Sequence, residues 1–391
     1  SARATMCGLK ARTPYSVIVL TVMESFTGNT SDAAIDELRD RLRRTRWPDD
    51  PDAEPWLHGT DGQYLRELVR YWIDHFDWLA QERALHRFAH FRANVDGFGV
   101  HFIHERSREP NVLPLIITHG WPSSFVEMTK IIPLLTAQGF DVVVPSLPGC
   151  GYSDRPSRLM SRARTAQLWA KLMVDVLGYR RFVARGADIG ATMTFLLGRD
   201  HAEHVAAIHL SDAPRPYLGP GSAPLTAAEE RFRAEEEDWM RREGAYDYLQ
   251  ATKPQTLGYA LNDSPAGLAA WIVEKFRSWS DCGGDVETRF TKDELLTNVT
   301  LYWVTETINS SVRLYFDREH SYPEPRPDDR AHVPCAFAMF PADIDHPPRE
   351  YAERSCNVVR WTEMPRGGHF AAFEEPELLA NDVCEFFREH R

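Results

Sequence analysis

At 391 residues, with about 150 residues to a domain, the chain can build one large core with an insertion or two domains, and it is too long to depend on a disulfide staple. Its 45 Lys and Arg against 57 Asp and Glu leave a formal charge of -12, which offers no electrostatic footprint for nucleic acid or an anionic lipid surface, so no nucleic-acid partner is expected. An apolar fraction of 43% beside 26% charged residues is an ordered globular profile, and 11 Trp, 13 Tyr and 20 Phe suffice to line a pocket as well as a core.

Residues 1 to about 30 read as irregular apart from the β-branched run SVIVLTV. The longest apolar run, near Val17 to Met23, falls far short of the roughly 20 residues that cross a bilayer. The opening SARATMCGLKARTPY has no long apolar centre of the secretory kind. Ser31 or Asp32 is placed to cap a helix over AAIDELRDRLRRTRW, which sets Ile35, Leu38 and Leu42 at helical spacing. A second helix is expected over YLRELVRYWIDHFDWLAQERAL, whose Leu65, Leu68, Val69, Trp72 and Phe76 form a core-facing stripe.

From FGVHFIHE the period shifts toward two, and LPLIIT and FDVVVP read as fully buried strands with one helix, SSFVEMTKIIPLLTAQG, between them. Helix AQLWAKLMVDVLG, strand RFVARG, helix ATMTFLLGRD and strand AAIHL continue the alternation, which predicts a mostly parallel sheet covered on both faces. The rhythm stops between about Asp212 and Asp329, where helix-like segments predict a cap laid over the sheet, with EEED at 235–238 as a solvated face and PEPRPDD as the exit linker. PCAFAMFP, NVVRWTEM and the closing helix EPELLANDVCEFFREH then resume the sheet. The expected organisation is an N-terminal extension over 1–95, a first core segment over 96–212, a helical cap over 213–329 and a second core segment over 330–391.

The stretch RFVARGADIGATMTF places Gly186 and Gly190 two positions either side of Asp188 in a strand–turn–helix, the geometry that lifts one side chain above a sheet. Here the lifted group is a carboxylate, a legitimate covalent nucleophile that the following helix N-terminus would keep ionised. GxDxG alone fits a plain turn as well, and no GxSxG occurs anywhere. A second stretch, ITHGWPSS, follows the strand LPLIIT, so amides near Trp121 and Ile189 are candidates for an oxyanion hole, while His119 reads as a residue that locks the turn. The third stretch, EMPRGGHFAAFEEP, puts His369 in a glycine-rich loop after a strand, with Asp343 in FPADIDHP as its acidic partner and Asp345 as the competitor. Asp188, Asp343 and His369 fall in the chain order of an α/β-hydrolase triad. His201 and His204 in HAEH, and His101 and His104 in the strand, read as structural, and no metal or cofactor is expected. The cysteines Cys7, Cys150, Cys282, Cys335, Cys356 and Cys384 make no CxxC pair, so reduced thiols and a cytoplasmic location are expected.

Together these pieces resemble the α/β-hydrolase superfamily and, within it, epoxide hydrolases of the microsomal type. DELRDRLRRTRWPD, YLRELVRYWIDHFDWLAQERALHRFAHF and GFGVHFIHERS resemble that family's amino-terminal domain, and RGADIG, HGWP, TKPQTLGYALNDSPAGLAAWIVEKFRSW and PRGGHF its core and cap. The resemblance implies an α/β fold with a mostly parallel central sheet, a helical cap insertion and an N-terminal extension. It implies Asp188 as nucleophile, His369 as general base, Asp343 as the acid that orients it, and Tyr246 and Tyr315 as the cap tyrosines that hold the epoxide oxygen, with nearby Tyr248 as the alternative to Tyr246. An apolar aromatic or bulky epoxide and water are the implied reactants, and a homodimer is the implied assembly. VMESFTGNT departs from the family's usual start, and the family's membrane anchor is expected to be missing. The composition is bacterial in character, and antibiotic biosynthesis is an expected setting. A haloalkane dehalogenase could use the same Asp188, His369 and acid, but Ile189 stands where that chemistry suggests Trp. A noncatalytic binding protein could keep the elbow but has less reason to keep all five groups.

Overall fold

The computed structural model describes residues 23–321 and 324–390, so SVIVLTV and Cys7 lie outside the described residues. Nine strands, β1 (Met23–Ser25), β2 (His90–Val95), β3 (Phe98–Glu105), β4 (Leu113–Thr118), β5 (Phe140–Pro145), β6 (Phe182–Gly186), β7 (Val205–Leu210), β8 (Ala331–Met339) and β9 (Cys356–Glu363), form one sheet ordered β1-β2-β3-β5-β4-β6-β7-β8-β9. Pairings from β1 to β5 are antiparallel, and every pairing from β5 to β9 is parallel. Every residue of β4 through β7 is buried, which is why these segments are mostly apolar: helices cover both faces. The expectation of irregular chain up to residue 30 is corrected at Met23–Ser25, which pairs with β2 at the sheet edge.

Ser31 caps α1 (Asp32–Arg43), its hydroxyl accepting the Ala34 amide at 3.2 Å. Two helices expected as single rods are each two. The first divides into α2 (Gly62–Asp74) and α3 (Trp78–Leu85), because the Asp77 carboxylate accepts the Ala80 amide at 3.0 Å and starts a new helix. The second divides into a tight turn over Phe125–Thr129 and α4 (Ile131–Thr136), where Pro133 has no N–H to return to residue 129. In the cap, the helical chain turns at Glu306, whose φ is 51°.

After α5 (Arg162–Lys171) and α6 (Ile189–Asp200), the helical insertion leaves the sheet at β7 and returns at β8. It comprises α7 (Ala227–Glu243), α8 (Ala245–Thr252), α9 (Pro254–Leu261), α10 (Pro265–Ser278), α11 (Lys292–Val304) and α12 (Ile308–Ser321). Thr226 with Glu229 and Thr291 with Glu294 form capping boxes at α7 and α11. The N-terminal extension braces this cap: Arg41 reaches Asp263 at 2.7 Å, and the Tyr71 hydroxyl donates to Asp293 at 2.9 Å. Helices α13 (Arg349–Glu353), α14 (Ala371–Glu374) and α15 (Pro376–Phe387) complete the core. Among the described residues no helix is long and apolar enough to cross a membrane, and the five described cysteines are buried and form no disulfide with one another.

Candidate active site

Asp188 sits between β6 and α6 with φ 54° and ψ -130°, a backbone that non-glycine residues rarely adopt. Small neighbours make this turn feasible. A Cβ on Gly190 would lie 2.1 Å from the Thr118 carbonyl oxygen, and one on Gly120 would lie 2.5 Å from the Asp188 Cβ. The turn delivers the carboxylate to two backbone amides, Trp121 N–H at 2.9 Å from Oδ1 and the Ile189 N–H. Burial alone would raise the carboxyl group's pKa. The hydrogen bond and charge of His369 outweigh burial and, with the two amides, hold Asp188 below the usual carboxylate range.

His369 lies in the loop between β9 and α14. Its Nδ1 is 2.7 Å from Asp343 Oδ1, and its Nε2 faces Asp188 Oδ2 at 3.7 Å. Burial would keep the imidazole neutral, but the Asp343 and Asp188 carboxylates override it and push its pKa well up. Asp345 reaches His369 only as a charge; burial and the acids Glu236 and Asp343 push its own carboxyl to about 6.

The cap supplies Tyr246 from α8 and Tyr315 from α12, with ring centroids 5.9 Å apart. Both are buried, whereas Tyr248 is 63% exposed on the outer surface. Burial and the Asp188 charge keep the Tyr246 phenol protonated, and burial, Tyr246 and Asp188 do the same at Tyr315. Trp121 stacks parallel to Tyr246 at 5.8 Å and edge-on to Tyr315 at 5.6 Å, and the Lys275 ammonium lies 4.7 Å from the Tyr246 ring centre. An ionised carboxylate, an imidazole–carboxylate pair and two buried phenols are joined through Trp121, whose amide donates to Asp188 and whose ring packs against both phenols. The histidine loop is also fastened to the cap. The His369 amide donates to the Trp279 carbonyl at 2.8 Å, the Gly367 amide to Asp281 at 3.0 Å, and Asp281 N–H to Glu374 at 2.8 Å.

His119 holds the turn through Nδ1 and the Gly120 carbonyl at 2.8 Å while Nε2 accepts the Leu147 amide at 3.2 Å. His101 engages His90 and Ser146, His104 engages Tyr179, and His204 engages the Arg180 carbonyl, and none of these contacts involves Asp188, Asp343 or His369.

Sequence reasoning missed Asp212, which follows β7. Its Oδ2 accepts the Asp188 amide at 2.6 Å, and burial together with the Asp343 carboxylate pushes its carboxyl up to about 7. Asp212, Asp343 and His369 each place a donor atom within 4.8 Å of the others, a spacing that could hold a metal ion. Here the donors are engaged in hydrogen bonds, His369 with Asp343 and Asp212 with the elbow amide. Asp212→Ala should lower the unfolding free energy by about 1–3 kcal/mol by orphaning the buried Asp188 amide. Asp212→Asn, whose side-chain oxygen still accepts that amide, should cost less than about 1 kcal/mol. Equal losses for both in chemical denaturation would remove Asp212 from this structural role.

A sheet of this topology, with a tight elbow after the strand next to β4, a helical insertion between β7 and β8 and a histidine loop after β9, defines an α/β-hydrolase whose elbow carries a carboxylate. Family models bear this out: "Epoxide hydrolase N terminus" matches residues 23–128 and "alpha/beta hydrolase fold" matches residues 114–270. Epoxide hydrolase 1 of Oryctolagus cuniculus is 37% identical, covering 92% of this chain and 88% of its own. The crystal structure of juvenile hormone epoxide hydrolase from the silkworm Bombyx mori superposes with a TM-score of 0.86 at 30% identity, covering 95% of both chains. Aspergillus niger epoxide hydrolase superposes with a TM-score of 0.82 at 30% identity, covering 95% of this chain and 97% of its own. The chain belongs to the epoxide hydrolase family, and it is an enzyme of that activity. The match beginning at Met23 includes MESFTGNT, which corrects the expectation that this stretch departs from the family's start.

Proposed function

We propose that the enzyme opens an apolar, aromatic or bulky epoxide to a vicinal diol through an ester on Asp188. The observation that carries this reading is the placement of the Asp188 carboxylate between two backbone amides, 3.7 Å from an imidazole whose far nitrogen is bonded to Asp343. In the first step an Asp188 oxygen bonds to an epoxide carbon as that carbon's bond to the ring oxygen breaks. Tyr246 and Tyr315 donate hydrogen bonds to the departing oxygen as alkoxide charge develops on it, and one of them passes it a proton that solvent then replaces, so that it becomes a hydroxyl. In the second step His369 takes a proton from water as the water oxygen bonds to the ester carbonyl carbon. The Trp121 and Ile189 amides stabilise the oxyanion, the bond from that carbon to the alkyl oxygen breaks, and the diol leaves with the proton.

Trp121, Tyr246, Trp279 and Tyr315 form a mutually packed aromatic wall, which supports the apolar substrate class. The resemblance supports a bacterial cytoplasmic homodimer in antibiotic biosynthesis. Efficient turnover of unrelated xenobiotic epoxides with none of pathway-like bulky epoxides would count against that setting. Each of Tyr246→Phe and Tyr315→Phe should slow ester formation by about a hundredfold, the roughly 3 kcal/mol that one transition-state hydrogen bond contributes, and leave ester hydrolysis intact. Rapid-quench measurement of the first step checks this, and an effect at Tyr248→Phe in place of Tyr246→Phe would reassign the donor.

A further inference from the structure

Behind Asp188, on the side away from the cap, lies a cavity of about 10 Å³, the size that holds one water. Asp188, His369, Glu127, Ser123, Thr118 and Trp121 border it, and none of its lining comes from the cap helices. The hydroxyl of Thr118, a lining residue that is 1% exposed, is satisfied by no protein group. A buried polar atom left unpaired costs free energy, and one on a residue that lines a water-sized cavity points to a water that pairs with it.

Glu127 is the remaining polar wall. It sits in the Phe125–Thr129 turn, 5% exposed, and is fixed by the Ser123 hydroxyl at 2.6 Å. Burial, with a smaller push from Asp188, holds its carboxyl above the usual carboxylate range, although Ser123, the Arg185 guanidinium and His369 lower it. The proposed mechanism uses none of these Glu127 contacts.

We infer that this cavity is the seat of the hydrolytic water and that Glu127 is the positioning residue that holds it for attack on the Asp188 ester. The inference rests on the two-step reading above. One hydrogen of the water points to His369 Nε2 and is transferred as the oxygen bonds to the ester carbonyl carbon. The other is held by the Glu127 carboxylate and stays on the new Asp188 carboxyl oxygen until it exchanges with solvent, so Glu127 gains no proton overall. The division of space carries a consequence. Substrate occupies the cap side of Asp188 and water the core side, so binding a bulky epoxide does not displace the second reactant.

The test is a single turnover of styrene oxide by Glu127→Gln, Glu127→Asp, Thr118→Val and, alongside, His369→Gln, with rapid quenching and intact-mass measurement of the ester. Ester formation should stay within about twofold of the parent in the Glu127 and Thr118 variants. Ester decay should slow about tenfold to a hundredfold in Glu127→Gln, the range for a hydrogen bond to a charged group, recover partly in Glu127→Asp, and slow severalfold in Thr118→Val. A merely structural Glu127 would slow both steps together, or neither, and either result overturns the inference. If Glu127→Gln fails to fold, Thr118→Val decides, and parent-like ester decay there is equally fatal. Should His369→Gln trap the ester while Glu127→Gln does not, the water seat falls and the two-step reading stands; no ester in His369→Gln with fast alkylation in the parent removes that reading itself.

Discussion

One turnover under excess enzyme in oxygen-18 water is expected to yield diol without solvent label, and an Asp188 carboxylate that carries it. The water oxygen bonds to the ester carbonyl carbon, so the diol leaves with an oxygen that began on Asp188. Asp188→Ala should lower turnover by on the order of 10⁴-fold or more, as removal of a covalent nucleophile does, since neither cap tyrosine can replace the bond it forms. Mass spectrometry of the diol and of the peptide spanning RGADIG reads both sides of the exchange. Solvent label in the first-turnover diol with none on Asp188 would reject the covalent route in favour of direct attack by water.

The second large effect separates the imidazole from the carboxylate. Ester formation needs no activated water, so His369→Gln should alkylate and then stall, accumulating protein heavier by one substrate mass with the adduct on Asp188. Ester decay should fall by on the order of 10²–10⁴-fold, the usual contribution of a positioned general base. Asp343→Asn should give a milder stall, because the imidazole remains but loses the 2.7 Å partner that orients it and supports its charged form. Efficient diol formation by His369→Gln would defeat the assignment.

The parts of this enzyme that were legible in the sequence are those whose physics is local. Strands β4 to β7 announce themselves because burial on both faces favours apolar residues at nearly every position, with Thr118, Asp141, Arg185 and His209 as the buried polar exceptions. Asp188 is visible because its neighbours at two positions either side have no room for a side chain. Partners brought together only by folding were not visible. Nothing near residue 212 says that its carboxylate will meet an amide 24 positions earlier. Glu127 was hidden by reading its turn as one continuous helix, although Pro133 in the following turn carried the signal for the break. The β2–β3 hairpin did leave a trace, Asp96-Gly97 between two strand-like runs; both residues have positive φ, at 53° and 86°.

The fastening of the histidine loop to the insertion has a consequence for engineering. Trp279 and Asp281, just beyond α10, accept hydrogen bonds from His369 and Gly367, so the insertion acts as part of the scaffold that aims the imidazole. Transplanting a relative's insertion to change substrate preference would carry over a new wall and loosen the old aim at once. A chimera that retains this chain's 279–281 segment and its contact with Glu374 is the graft that alters selectivity without sacrificing ester hydrolysis.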